Sequence, residues 1–181
     1  MKHLYSWSIV ALLIFTLVLP TACTRAAASP LPLTVDTLKN VEYRSDWPSE
    51  GVARLTDGQY QEEIVPGAAS KVIVALYPDM YAFGDLNGDG LDDAAVFLAA
   101  SGGGSGTFIT LEAVVNDQGT PRHIASADLG DRTQIKAVTI KDGKIIVDMI
   151  VHSPDDPMCC PTQHLVQTYT LQEQQLVKVT D

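Results

Sequence analysis

Nine consecutive residues, Asp85-Leu86-Asn87-Gly88-Asp89-Gly90-Leu91-Asp92-Asp93, hold more chemistry than any other stretch of the chain. Oxygen-bearing side chains at the first, third and fifth positions (Asp85, Asn87, Asp89) converge when a backbone curls around a hard cation. Gly90 at the sixth position permits the sharp turn, and Leu91 at the seventh offers its carbonyl while its side chain enters the core. Asp93 at the ninth supplies another oxygen, directly or through water. Carboxylates crowded around one point repel each other, and a divalent ion relieves that repulsion. Ca²⁺ fits better than Mg²⁺, which demands a tight octahedron and keeps its waters. Asp92 should point outward and stays out of the set. The twelfth position is Val96 inside an apolar run, where an EF-hand would have a bidentate Glu and a helix, so the loop is expected on a β scaffold. The expected ion is structural, because no base or nucleophile is patterned nearby. The plain alternative is an acidic Asn-Gly and Asp-Gly turn without metal.

The second constellation is His152-Ser153-Pro154-Asp155-Asp156-Pro157-Met158-Cys159-Cys160-Pro161-Thr162-Gln163-His164. In an oxidising compartment two thiols usually pair. With Cys23 assigned elsewhere below, Cys159 and Cys160 can pair within one chain only with each other, closing a small strained ring. Intermolecular pairing, free thiols, and ligation of a soft metal together with His152 and His164 stay open beside that vicinal disulfide. Adjacent cysteines are poor zinc geometry next to the usual Cys-x-x-Cys. Three prolines stiffen the loop.

Other motifs exclude more than they propose. Ser101-Gly102-Gly103-Gly104-Ser105-Gly106-Thr107 lacks the Lys-Ser/Thr and the following helix of a phosphate loop. It reads as a hairpin loop, packed near the acidic loop. Ser105 has the wrong spacing for a nucleophile elbow. No catalytic signature and no motif for an organic cofactor stand out. Asp79, Asp131, Asp155 and Asp156 read as solvated turn residues.

The elements that must position these groups are mainly strands. From about Asn40, short apolar runs alternate with turn signals. Lys144–His152 alternates, with Ile145, Val147, Met149 and Val151 on one face and Lys144, Asp148 and His152 on the other, and Asp142-Gly143 before it is a strong hairpin signal. A loop at residues 116–119 joins the 107–115 run to 122–127, and 172–175 joins 166–171 to 176–179. Ala94–Ala100 is apolar on both faces and reads as a central strand covered on both sides. A helix is expected only at Val35–Lys39, stopped by Asn40. The expected fold is mainly β (α+β at most): an antiparallel sheet or meander of roughly eight to ten short strands with one short N-terminal helix. The absence of a clean internal repeat argues against a propeller.

The N-terminus reads as an export signal. Lys2 precedes the unbroken apolar run Ile9–Leu19, which is too short for a membrane-spanning helix and suits a signal-peptide core. Ala26-Ala27-Ala28 offers an ordinary cleavage site, but Leu19-Pro20-Thr21-Ala22-Cys23 resembles the lipobox of bacterial lipoproteins. The expected organisation is a signal peptide over 1–22, a lipidated Cys23 with a tether over 23–34, and one β-rich domain over 35–181. Two or more acyl chains suffice for stable anchoring. By resemblance to enteric lipoproteins, Thr24 after the Cys permits sorting to an outer membrane. The expected address is therefore extracytoplasmic and membrane-anchored, in the periplasm, at an outer membrane or on the cell surface, or secreted if the lipobox is not used. With 12 basic against 22 acidic side chains, the net charge of −10 argues against nucleic acid and against a basic membrane-docking patch.

The acidic loop, down to the preceding Phe83-Gly84, resembles the DxDxDGxxD loops of FG-GAP and related β-repeat proteins. The set Leu38-Lys39-Asn40 with Tyr43, Phe83–Gly90, Gly104–Phe108 and Asp156–Thr162 resembles a family of uncharacterised bacterial envelope proteins found in cyanobacteria, Chloroflexi and other phyla. The Cys-Cys-Pro segment and the C-terminal strands are similar to the LppP/LprE lipoproteins of actinobacteria. The resemblance implies a secreted or lipid-anchored domain and no particular activity. The expected function is thus an extracytoplasmic binding or structural module stabilised by one Ca²⁺, contacting an envelope protein or a glycan. The alternative is an envelope redox or soft-metal-handling protein using Cys159 and Cys160.

Overall fold

The computed structural model describes residues 30–180. Cys23, the signal peptide and most of the expected tether lie outside the described residues. One helical turn, α1 (Val35–Leu38), comes first, and eleven strands follow: β1 (Glu42–Arg44), β2 (Val52–Arg54), β3 (Gln59–Glu63), β4 (Lys71–Gly84), β5 (Asp93–Ser101), β6 (Phe108–Asp117), β7 (Thr120–Asp131), β8 (Gln134–Lys141), β9 (Lys144–Val151), β10 (Gln163–Gln172) and β11 (Gln175–Lys178). They form three antiparallel sheets in the orders β1-β2, β3-β4-β5-β6-β7 and β11-β10-β9-β8. The mainly β, meandering architecture matches the expectation, with one more strand than its upper bound.

The turns follow from local chemistry. Asp142 and Gly143 both take positive φ (52° and 69°) between paired Lys141 and Lys144, the two-residue turn whose twist suits flanking strands. Gln118-Gly119 closes β6–β7 in the same way, both residues at positive φ, and Glu173-Gln174 closes β10–β11 with only Glu173 at positive φ. At the N-terminus, Thr34 caps α1: its hydroxyl oxygen accepts from Thr37 N, and the Thr37 hydroxyl oxygen accepts from Thr34 N.

β5 divides the protein's two cores. Ala94, Val96, Leu98 and Ala100 face one side, together with Leu33, Leu38, Tyr43 and Leu55 from α1 and the β1–β2 region. Ala95 and Phe97 face the other, against Leu111 of β6 and Ile145, Val147, Met149 and Tyr169 of the four-stranded sheet. The double coverage read from its sequence is present. Leu33, expected in the tether, is buried in the first core, and Leu31 O accepts a hydrogen bond from Asn116 Nδ2. Packing therefore begins before residue 35. The two larger sheets meet closely at Gly84, where a Cβ would lie 2.7 Å from Ile140 Cγ2, so only a glycine fits there.

β7 carries two bulges. Ala113 and Val114 oppose Ala125 and His123, and Ile109 and Thr110 oppose Gly130 and Asp128, so Ile124 and Leu129 are extra residues on β7. A bulge re-aims the side chains beyond it. Here it puts His123, an odd number of residues from Ser126, on the same face as Ser126, Glu112 and Thr110.

Candidate functional site

The acidic loop connects β4 to β5, and its side chains accept the loop's own amides. Asp85 Oδ1 accepts from Gly88 N at 2.6 Å and Oδ2 from Gly90 N at 3.0 Å. Asn87 Oδ1 accepts from Asp89 N, and Asp89 Oδ1 from Leu91 N, both at 2.8 Å. Asn87 Nδ2 donates to Asp89 Oδ2 at 3.0 Å. The Gly90 N–H holds the Asp85 carboxyl below the ordinary carboxylate range, with Gly88 adding to the effect. Asn87 and Asp89 are exposed, and Asp92 points outward as expected.

Asp93 differs from the rest of the set. It is fully buried, and its two oxygens accept from Leu86 N at 3.0 Å and Asn116 N at 2.9 Å, tying the loop to β6. Burial pushes its carboxyl up against those two bonds, and the charges of Asp89 and Asp85 push it further. The core residue of the loop is Leu86, buried against the second core, whereas Leu91 is only half-buried. The expectation that Leu91 enters the core is corrected accordingly: Leu86 lies next to the end of β4 and reaches the core first. Among the described residues, no three His, Cys, Asp or Glu side chains stand close enough to hold a metal by themselves. The donors present are all oxygens, from three carboxylates, one amide and the Leu91 carbonyl, and that chemistry fits a hard cation.

The cysteine loop joins β9 to β10. Cys159 and Cys160 are bonded to each other, with Cα atoms 3.7 Å apart, and both are exposed. Asp156 organises the loop, accepting from Ser153 N, Thr162 N and the Thr162 hydroxyl, each at 2.8 Å. The Ser153 amide foremost lowers its carboxyl to about 2. Arg132 pairs with Asp131 and donates to Met158 O at 2.8 Å and Ser105 O at 2.5 Å, fastening the cysteine loop to the glycine loop. Asp131 in turn accepts from Thr107 N. Asp131 and Asp156 are thus structural anchors and not the solvated turn residues expected, whereas Asp79 and Asp155 are exposed. His164 Nε2 sits 2.6 Å from Asp148 Oδ1, and His152 Nε2 is buried without a partner among the described residues. The structure does not bring His152, Cys159, Cys160 and His164 to one point.

The glycine loop leaves the far end of β5 from the acidic loop. Gly102 lies against the Trp47 indole, where a Cβ would stand 3.1 Å from Cζ3, and Gly106 lies against Phe108. The expected packing beside the acidic loop is corrected: an entire strand separates the two loops.

A third centre escaped the sequence reading. Glu112, on β6, has its side chain 1% exposed, and that of His123 is 2% exposed. Glu112 Oε2 lies 2.7 Å from His123 Nε2 and accepts from the Ser126 hydroxyl at 2.6 Å, while Oε1 accepts from the Thr110 hydroxyl at 2.5 Å. His123 Nδ1 accepts from Arg44 N at 3.1 Å, which leaves Nε2 as the donor to Glu112. Ser126 Oγ also lies 3.2 Å from His123 Nε2, but with Nδ1 accepting from Arg44 N the ring proton sits on Nε2, which therefore has no lone pair to take a proton from the serine. Tyr43 stacks near His123, with ring centroids 5.4 Å apart, and donates to Leu38 O; burial and then the Glu112 charge push its phenol up. Above this cluster a groove opens between the β1–β2 region and the β6–β7 edge. Its one sequence signal is Glu112 itself, a lone acid inside the apolar run of residues 108–115.

Compared with known proteins, the chain matches no family model, no curated protein and no solved structure.

Proposed function

We propose that this protein is an extracytoplasmic binding or structural module, anchored through a lipidated Cys23 and stabilised by one Ca²⁺ at the β4–β5 loop. The observation that carries the calcium reading is the curl of the loop. Asp85, Asn87 and Asp89 each fold back onto loop amides, so their remaining lone pairs belong to one short segment. Asp85, Asn87, Asp89 and the Leu91 carbonyl would hold the ion, with Asp93 contributing through lone pairs its two amide partners leave free. The bound ion would supply charge neutralisation for Asp85, Asp89 and Asp93, and no chemical step. An ion binding only the folded state stabilises it by about 2.7 kcal/mol at one hundred times its dissociation constant.

The test is thermal unfolding of chelator-treated protein, with and without Ca²⁺ or Mg²⁺, beside Asp89→Ala. The reading expects Ca²⁺ to raise the midpoint well above Mg²⁺ and Asp89→Ala to abolish the rise. An unchanged midpoint in both ions reduces the loop to a turn. Anchoring is tested by mass spectrometry of the processed N-terminus, where diacylglyceryl on Cys23 and its loss in Cys23→Ser are expected.

A second reading, envelope redox or soft-metal handling through Cys159 and Cys160, is favoured by the exposure of both residues on a fastened loop. It requires thiols that change state. Thiol counting by mass spectrometry across graded reductant, with Cu(I) or Zn²⁺ added to the reduced protein, decides it.

A further inference from the structure

We infer that the groove above Glu112 binds a neutral saccharide. It is an open groove of about 760 Å³, within the size range of small-ligand sites. Trp47 and Phe108 line it with ring centroids 5.0 Å apart, and Phe108 is left 37% exposed. Polar lining comes from Arg44, Asp46, Thr110, Glu112, Ser126 and Asp128.

The buried Glu112 sets what these groups offer. Burying a carboxylate is costly, and an apolar side chain would pack on this face as Val96 and Val114 do. Its presence fixes the hydroxyls of Thr110 and Ser126, which both donate their protons inward to it. The Thr110 hydroxyl thereby keeps its lone pairs for the groove, and the Ser126 hydroxyl, whose oxygen also lies 3.2 Å from His123 Nε2, keeps at least one. Together with the Asp46 and Asp128 carboxylates they make an array of acceptors beside two aromatic rings, with the Arg44 guanidinium as the donor.

Ligand classes separate on that array. An anion meets three carboxylates, Asp46, Glu112 and Asp128, against one guanidinium. A purely apolar ligand strips water from Asp46 and Asp128 and returns no hydrogen bond. A cation is attracted by the carboxylates but repelled by Arg44, and it needs no spread of neutral acceptors. A sugar ring uses everything present: its hydroxyls donate to carboxylates and fixed oxygens, one accepts from Arg44, and its C–H face covers the indole. The inference rests on the domain's being a binding module, and it does not depend on calcium.

The test titrates the full-length chain with neutral mono- to tetrasaccharides of hexose and N-acetylhexosamine, followed by calorimetry and tryptophan emission. Trp47→Phe assigns the optical signal, since Trp7 is the other tryptophan of the two. A saturable response is expected from members of the panel. Trp47→Ala should weaken it about tenfold or more, Asp128→Asn several-fold, and Trp47→Phe less than Trp47→Ala. Asp89→Ala should leave it unchanged. The proposal is overturned if no saccharide binds the folded wild-type chain, if binding survives both Trp47→Ala and Asp128→Asn, or if only tetramethylammonium or spermidine binds. Melting the same samples with Ca²⁺ separates the two readings. Saccharide binding without a calcium shift sinks the calcium site alone, and the reverse sinks the groove alone.

Discussion

The β4–β5 loop and the Glu112 cluster are both acidic, yet they are built on opposite plans. In the loop, carboxylates accept amides from their own segment: Asp85 from Gly88 and Gly90, Asp89 from Leu91. Around Glu112, the donors are side chains from β6 and β7, and the one backbone amide joined to the cluster, Arg44 N, donates to the histidine behind it. The loop is a local structure that needs little from the rest of the fold. The cluster exists only when three strands are in place. A satisfied local turn can trade amides for an ion, whereas an interior carboxylate with side-chain donors is committed to the folded state. Asp93 stands between the two, since one of its amides comes from the loop and the other from β6.

The comparison is broken most forcefully at Glu112. Glu112→Ala leaves three inward-facing donors without their acceptor, and each buried donor left unsatisfied costs about 1–3 kcal/mol. Denaturant unfolding should show that loss equally in chelator and in Ca²⁺. A loss that depends on calcium would mean the two centres are coupled and the contrast is false. Next comes Asp93→Asn, which turns an amide NH₂ toward a backbone N–H and should cost about 2 kcal/mol in chelator, because a buried donor loses its acceptor. Ser126→Ala removes one of the donors to Glu112 and should cost about 1 kcal/mol, measurable as a shift of the urea midpoint at constant slope.

The smallest effect at neutral pH is expected from Asp156→Asn and emerges in acid. The Asp156 carboxyl is lowered from 3.8 to about 2, so its contribution to stability is present above the unfolded value and is lost as pH falls through the folded one. The variant's melting temperature should therefore fall less steeply than the wild type's between about pH 4 and about pH 2. Asp93 carries the opposite sign. Its raised carboxyl makes the ionised form unfavourable, so its contribution improves as pH falls through its folded pKa. Melting Asp93→Asn should give a steeper acid slope than wild type in the window above the unfolded value of 3.8, where the folded protein alone holds that proton.

What the sequence revealed follows the same division between local and assembled. The hairpins at Asp142-Gly143 and Gln118-Gly119 are local turn chemistry, and β5 announces its two-sided burial by an unbroken apolar run. The loop's one-three-five spacing is equally local, because neighbours in sequence are neighbours in space. Leu86, and not Leu91, is the leucine that meets the core, because spacing alone does not distinguish the two. The Glu112 cluster was invisible for a different reason. His123 joins Ser126 on one face only because Ile124 bulges out of β7, and an odd separation along a regular strand reads as opposite faces. Arg132 was passed over because its partners, Ser105 and Met158, come from loops far away in the chain.

The position of β5 has one further consequence. A single backbone supplies apolar side chains to both cores, Phe97 to one and Val96 and Leu98 to the other. Opening either core withdraws a wall from its neighbour and exposes apolar surface there too. A partly melted form that keeps one core closed therefore gains little entropy for the burial it forfeits. Sheets that share no residue with each other are thereby bound into one cooperative melting unit, with the amides of β5 the last in the protein to exchange with solvent.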